Sequence, residues 1–215
     1  MEKTTDGSFE VITAGPASRF DNNIYIVIDR ANGEAAFIDA PDEPEKCIAA
    51  AEAAGVNPSA ILLTHGHMDH TAGIEALKAR FGCKLYAGAS ETGLADGQTD
   101  QAVTNGSEVA VGTLTFRVLS VPGHTPGSTT YVYGKHAFVG DTLFPGGPGH
   151  SRTPEALKQE IESITTHLYA LSDDTVIYPG HGAKCTIGES KAEYAVFAGK
   201  QHASDLHGDV NWLES

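Results

Sequence analysis

Apolar residues in this chain follow two rhythms, and each predicts a different element. Short unbroken runs closed by Gly, Pro or Asn predict strands, whereas apolar residues recurring every third or fourth position predict helices. Ile24 to Ile28 and Ala35 to Ile38 flank Asn32-Gly33, a dipeptide that readily takes the positive φ angles of a hairpin turn, so an antiparallel pair is expected. Pro44 suits the first turn of a helix through Ala54, with Asp42 or Glu43 near its start and Gly55 beyond its end. Ala60 to Leu63 predicts the next strand. Ile74, Leu77 and Phe81 then recur at helical spacing until Gly82 stops them, and Lys84 to Ala87 predicts another strand.

From Ser90 to Ser107 no period is visible, and a helix plus loop is expected there. Val109 to Val111, Leu114 to Val121, Thr129 to Tyr133 and His136 to Val139 predict consecutive strands, with Gly134-Lys135 turning between the last two. Thr153 caps and Pro154 opens a helix whose Leu157, Ile161, Ile164 and Leu168 form one apolar stripe. Thr175 to Tyr178 is the last strand, and Glu189 to Lys200 the last helix. Two β-rich halves, each with helices on its outer face, imply an α+β sandwich.

Composition narrows the setting. A chain of 215 residues with 40% hydrophobic content suits a single domain over 1–215 with a substantial core. The start, Met1 to Ser8, carries no apolar signal region, and no apolar run approaches the roughly 18 residues of a membrane span, so a cytoplasmic protein without membrane contact is expected. A formal charge of −14 repels phosphodiester backbones and excludes nucleic acid as the natural partner. Cys47, Cys83 and Cys185 form no C-x-x-C pair and an odd set, which suits free thiols. Cys47 and Cys83 are expected to be buried, and Cys185 to be a bystander near His181.

The chemistry is concentrated where strands should end. Thr64-His65-Gly66-His67-Met68-Asp69-His70 follows the strand Ala60 to Leu63 and offers His65, His67, Asp69 and His70 within one turn. His124, Asp141 and His181 each follow another β-rich run and sit beside a glycine, which lets the backbone turn sharply and approach a small object. Imidazoles and carboxylates are the ligand set of borderline divalent metals, and no packing argument calls for so many of them at the mouths of buried strands.

These motifs, with Pro122-Gly123-His124-Thr125-Pro126-Gly127-Ser128, Gly140-Asp141-Thr142-Leu143-Phe144 and Tyr178-Pro179-Gly180-His181-Gly182, resemble the metallo-β-lactamase superfamily, and within it the glyoxalase II-like hydrolases. The resemblance implies an αββα four-layer sandwich with two divalent metal ions at one edge. It assigns His65, His67 and His124 to the first ion and Asp69, His70 and His181 to the second, with Asp141 bridging. Two adjacent cations do need a shared anionic ligand to moderate their repulsion. Zinc is the first choice for such ligands, with iron and manganese next. The implied nucleophile is a hydroxide held by the ions, with Asp69 steering a proton.

The resemblance favours hydrolysis of a small thioester, because a thiolate leaves without a strong general acid whereas an amine needs one. Lactone or β-lactam hydrolysis would use the same nucleophile with another pocket. A persulfide dioxygenase of this family instead uses one iron held by two histidines and an aspartate. A non-catalytic relative would be free to lose ligands, and this chain has all seven.

Two departures bear on the substrate. The C-terminal helical domain that gives glyoxalase II much of its glutathione contact is not expected here. Pro145 to Arg152 also differs from the family's loop, placing His150 and Arg152 as candidate contacts to a carboxylate, a thiol cofactor or an acyl group. Ser128 stands where many relatives have His and is expected to have only a local structural role. His136, His167, His202 and His207 are read as surface or half-buried residues.

Overall fold

Alternation along the strand Asn22–Asp29 sorts its side chains between two cores. Ile24, Ile26 and Ile28 enter one, while Tyr25 and Val27 enter another, as the two-residue period of a strand requires. The computed structural model describes residues 1–215, and in it this strand belongs to a seven-stranded sheet. The sheet contains β1 (Glu2–Asp6), β2 (Phe9–Ala17), β3 (Asn22–Asp29), β4 (Ala35–Ile38), β5 (Ala60–Leu62), β6 (Lys84–Gly88) and β7 (Gln101–Val103), in that spatial order. β1 to β4 pair antiparallel and β4 to β7 parallel.

The second sheet contains β8 (Glu108–Val111), β9 (Leu114–Ser120), β10 (Thr129–Tyr133) and β11 (His136–Gly140). Past the small hairpin of β12 (Leu143–Phe144) and β13 (Gly147–Pro148), it is completed by β14 (Val176–Pro179) and β15 (Cys185–Thr186). β14 joins β11 in parallel and the other neighbours are antiparallel.

Three separate cores define four layers. Phe9, Tyr25, Leu62, Phe116, Tyr131 and Phe138 fill the space between the sheets. Cys47 and Ala51 of α1 (Pro44–Ala54) and Ile74 and Leu77 of α3 (Ile74–Phe81) pack on the outer face of the first sheet. Leu157 of α4 (Pro154–Ser163), with Ile164 and Leu168 just after it, packs on the outer face of the second, joined by Phe197 of α5 (Ile187–Ala198) and Trp212. Each fully buried aliphatic or aromatic side chain contributes about 1.5–3 kcal/mol relative to exposure. This is the expected αββα order.

Local sequence explains the helix ends. Thr153 Oγ1 accepts from Ala156 N at 3.2 Å, and Thr186 and Glu189 form a reciprocal capping box at the start of α5. α1 starts at Pro44 after Glu43, without a side-chain cap, and stops at Gly55 in the left-handed conformation. Past Ser163 the helix widens into a π-helical turn, Ile164–Leu168, where Thr165 Oγ1 donates to Ile161 O at 2.8 Å.

Several expectations are corrected. The hairpin of β1 and β2 was not anticipated, because β1 (Glu-Lys-Thr-Thr-Asp) is an exposed edge strand with no apolar face. The β3–β4 connection is longer than the two-residue turn implied by Asn32-Gly33; Gly33 N donates back to Asp29 O at 2.7 Å. Ser90 to Ser107 holds no helix; it is irregular up to β7. The helix expected just after His70 is split: α2 (Met68–Thr71) carries Asp69 and His70 themselves, and α3 follows. His136 is buried rather than superficial, its ring against Phe9 and its Nδ1 at 3.0 Å from Tyr178 Oη. Cys47 and Cys83 are buried, and Cys185 is half-buried with its thiol pushed up to about 11 by burial, which makes it a poor nucleophile at neutral pH. No helix is long and apolar enough to cross a membrane.

Candidate metal centre

The site lies at the edge where the parallel strands of both sheets end. The first sheet delivers His65, His67, Asp69 and His70 just past β5, and the second delivers His124 after β9, Asp141 after β11 and His181 after β14. Hydrogen bonds join the sheets here: Asn23 N donates to Gly180 O at 2.7 Å, Thr129 N to Thr64 O at 2.8 Å and Tyr25 Oη to Pro179 O at 2.8 Å. Gly180 is required by proximity, since a Cβ there would run into Asp141 Oδ1 and His70 Cε1. Gly140 combines a φ of 54° with a close approach to Thr64.

The seven anticipated side chains converge. They form three overlapping groups, His65/His67/His124, His65/His70/Asp141 and Asp69/His70/His181, in each of which the ligand atoms lie within 4.8 Å of one another. His124 Nε2 is 2.9 Å from His67 Nδ1, and His181 Nε2 is 3.2 Å from Asp69 Oδ2 and 3.4 Å from Asp141 Oδ2. Asp141 also reaches the other side, its Oδ2 lying 4.0 Å from His65 Nε2 and 3.9 Å from His124 Nε2. Two ligands on one ion at bond lengths of about 2.0–2.2 Å in tetrahedral geometry are separated by roughly 3.3–3.6 Å, and the distances here, 2.9–4.0 Å, bracket that separation.

Unpartnered atoms give the second test. His65 Nε2 and Asp141 Oδ1 are buried without a hydrogen-bond partner. A buried acceptor left unpaired costs about 1–3 kcal/mol, and two such atoms within one His/Asp cluster are what a bound cation would satisfy. The residues therefore fit the paired metal ions of the resemblance.

Protonation divides the cluster in two. Burial pushes the His65 imidazole well below its ordinary range and takes His124 down to about 4. His67 is lowered too, first by burial and then by the Arg152 guanidinium. Around His70 and His181 burial opposes the charged form, yet carboxylates prevail. Asp141 and Asp39 hold His70 well above the usual value, and Asp141 and Asp69 raise His181 to about 9. Despite burial, the same contacts hold Asp69 and Asp141 well below the carboxylate range.

The second nitrogen of four ligand imidazoles is also engaged. His70 Nδ1 is 2.9 Å from Asp39 Oδ2, and His65 Nδ1 is 3.1 Å from Thr64 Oγ1. His124 Nδ1 donates to His150 O at 3.0 Å and His181 Nδ1 to Phe20 O at 2.7 Å. Such partners fix ring orientation and tautomer. Asp39 also accepts from Thr64 N and Oγ1, at 2.7 and 2.8 Å. Buried Asn22 donates from Nδ2 to Asp69 Oδ2 at 3.1 Å.

Sequence reasoning missed Asp39, Asn22 and Glu160. Asp39 follows the apolar run of β4 as Asp141 follows that of β11, and that signature was available. Glu160 is fully buried behind the His124 turn, accepting from Gly149 N at 3.1 Å, and burial raises its carboxyl to about 9.

A polar cleft of about 490 Å³ opens beside His67 and His124, walled by Glu91, Thr92, Arg152 and Gln159 among others. Arg152 therefore lies beside the ligands, whereas the exposed His150 side chain turns to Asp209, Nδ1 to Oδ1 2.9 Å, on another depression. Ser128 plays the local role expected of it, accepting from Thr125 N at 3.0 Å.

Four layers with a His/Asp cluster at the edge shared by both sheets define the class of αββα metal-site folds. This chain belongs to the metallo-β-lactamase superfamily, whose profile matches residues 19–195. It is 39% identical over 163 residues to the hydroxyacylglutathione hydrolase of Rhodospirillum rubrum, a match covering 75% of this chain and 62% of that relative. The chain thus spans under two thirds of that protein. With hydroxyacylglutathione hydrolase GloC of Haemophilus influenzae it is 33% identical, over 82% of this chain and 92% of the relative. Among solved structures, ETHE1 from Myxococcus xanthus superposes with a TM-score of 0.78 at 29% identity, covering 89% of this chain and 85% of that one. A protein solved in a di-iron-bound form superposes with a TM-score of 0.69 at 30% identity, covering 84% and 96%.

Proposed function

We propose that this chain is a dinuclear metal-dependent hydrolase of a small thioester, acting as a single αββα unit. The observation that carries the reading is the convergence of seven ligands into two groups with Asp141 between them. His65, His67 and His124 would hold one ion, Asp69, His70 and His181 the other, and Asp141 both. Divalent ions in such a cradle supply Lewis acidity to a carbonyl oxygen and make water acidic near neutral pH. Zinc is the first choice, ahead of iron and manganese.

The chain's own groups orient the reaction. Asp39 and the backbone carbonyls of Phe20 and His150 hold the imidazoles in place, and Asn22 pins Asp69 Oδ2 where that carboxylate can take up and pass on a proton. The cleft wall bears on the leaving group. Glu91 is the acid lining it, and its oxygens already accept from Thr125 Oγ1 at 2.7 Å and Thr92 N at 2.8 Å. A thiolate departs without a proton donor and an amine does not, so this wall suits a thioester. The hydroxyacylglutathione hydrolase names of the relatives point the same way.

Metal analysis combined with a turnover screen over thioesters, lactones, β-lactams and persulfides tests the reading. Two ions per chain with thioester turnover is the expected outcome. One iron per chain, with oxygen consumed on a persulfide, would replace it with a dioxygenase.

A further inference from the structure

The wall of the cleft holds a cation that the folded chain leaves unused. Lys78, Lys184 and Lys191 pair with Asp100, Glu2 and Asp173 at 2.6–2.7 Å, while Arg19, Lys84, Arg117 and Lys158 are, like Arg152, without a carboxylate partner; of these only Arg152 lines the cleft. Arg152 pairs with no carboxylate and donates no hydrogen bond to the protein, and it lines the cleft together with the ligands His67 and His124. It stands at the start of α4, and Ala156 and Gln159, three residues apart on that helix, line the same cleft.

The remaining surface argues for a polar occupant. Apart from ligand imidazoles the cleft holds no aromatic ring and no Val, Leu or Ile, so an apolar chain lying there would gain little from burial. Gly66, Gly93 and Gly123 add only backbone to its lining. Glu91, the one carboxylate of the wall, is bonded to Thr125 and Thr92 and leaves Arg152 free. An acidic protein repels anions at long range, and an unpaired guanidinium beside the ligand cluster reverses that sign over the last Debye length, about 8 Å at physiological salt. A guanidinium also matches a carboxylate with two parallel donors.

We propose that Arg152 is a specificity-determining residue that pairs with a carboxylate on the substrate arm lying in this cleft. The proposal rests on the thioesterase reading above and adds the residue of this chain that reads the substrate's charge. The carboxylate can belong to the acyl arm or to the thiol arm.

Two matched pairs, assayed with the metal-loaded enzyme, separate these sources. The first is a succinyl thioester of a neutral thiol against its methyl ester. The second is an acetyl thioester of 3-mercaptopropionate against that of its amide. In one pair the carboxylate member is expected to show about tenfold higher kcat/KM, carried by KM, equivalent to about 1.4 kcal/mol. Arg152→Gln is expected to erase that ratio and Arg152→Lys to restore part of it. Equal kcat/KM within both pairs, or a preference that survives Arg152→Gln, overturns the proposal.

If no thioester turns over, the hydrolase reading fails, and the cleft is still read by equilibrium binding. The thioether analogues of each pair are then titrated into metal-loaded protein. The carboxylate of one pair must bind about tenfold more tightly than its neutral partner, and Arg152→Gln must remove the difference. Absence of either effect rejects the role of Arg152.

Discussion

The two halves of the metal centre are built on opposite electrostatic plans. His65, His67 and His124 are imidazoles held neutral by burial; His67 and His124 border the open cleft, and His65 is buried. Asp69, His70 and His181 sit among carboxylates that draw protons onto the imidazoles, backed by Asp39 and Asn22. The first half is ready to donate lone pairs to a cation; the second must exchange protons for one. Substrate access and charge storage are thus separated, with Asp141 belonging to both.

Removing the shared ligand should collapse the contrast. Asp141→Ala is expected to lose both metals and hydrolysis together, by well over the roughly 10–100-fold typical of outer-shell partners. Metal content after dialysis and turnover measure it, and a fully active variant retaining both ions would take Asp141 out of the mechanism.

Asp39→Asn attacks the second half directly, and the first only through Thr64, whose Oγ1 donates to Asp39 Oδ2 and lies 3.1 Å from His65 Nδ1. The carboxylate that orients His70 Nδ1 is weakened, and metal affinity there should fall about 10–100-fold, with a smaller loss in the first half. Chelator competition separates the two sites. Equal losses in both would show that the halves are not independent.

Proton exchange should distinguish the halves without mutation. In metal-free protein His181 carries a proton up to about pH 9, whereas His124 has released its own above about pH 4. Metal binding to the second half should therefore release protons at neutral pH and strengthen toward pH 9 by up to about tenfold per pH unit for each imidazole proton displaced. The first half should show no such release. Calorimetry in buffers of different ionisation enthalpy counts the protons. The stability sign follows from the same values: the raised His181 stabilises the metal-free fold below its unfolded value of 6.5, and this contribution is lost as pH rises through about 9.

The smallest effect lies in the wall behind the first half. Glu160 keeps its proton in the fold up to about pH 9 but loses it near 4.5 when unfolded, so its contribution to stability falls as pH rises between those values. The slope is at most about 1.4 kcal/mol per pH unit. Glu160→Gln should flatten it in denaturant melts at pH 7 and 8, and an unchanged slope would mean that the carboxyl is ionised in place.

Most of the centre was legible because four of its ligands lie within six consecutive residues and the others stand at strand ends beside glycine. The supporting residues were harder to read. Asp39 lies 31 positions from His70 and Asn22 lies 47 from Asp69, so single polar residues acquire their meaning only from tertiary contact. The layered architecture followed from periodicity at strands such as β3 and β10, although β2, with Phe9, Val11 and Ile12 buried, was missed. It failed at β1, where every second residue is as polar as its neighbour, and in the aperiodic stretch before β7 that supplies Glu91 and Thr92 to the cleft.

Candidate ligands contributed by two different sheets would make bound ions a clasp across the seam of the sandwich. Cations bound at a thousand times their dissociation constant add about 4 kcal/mol to the folded state. Starved of metal, the molecule should part first along that seam, so that metal supply in its surroundings would set how long each copy lasts.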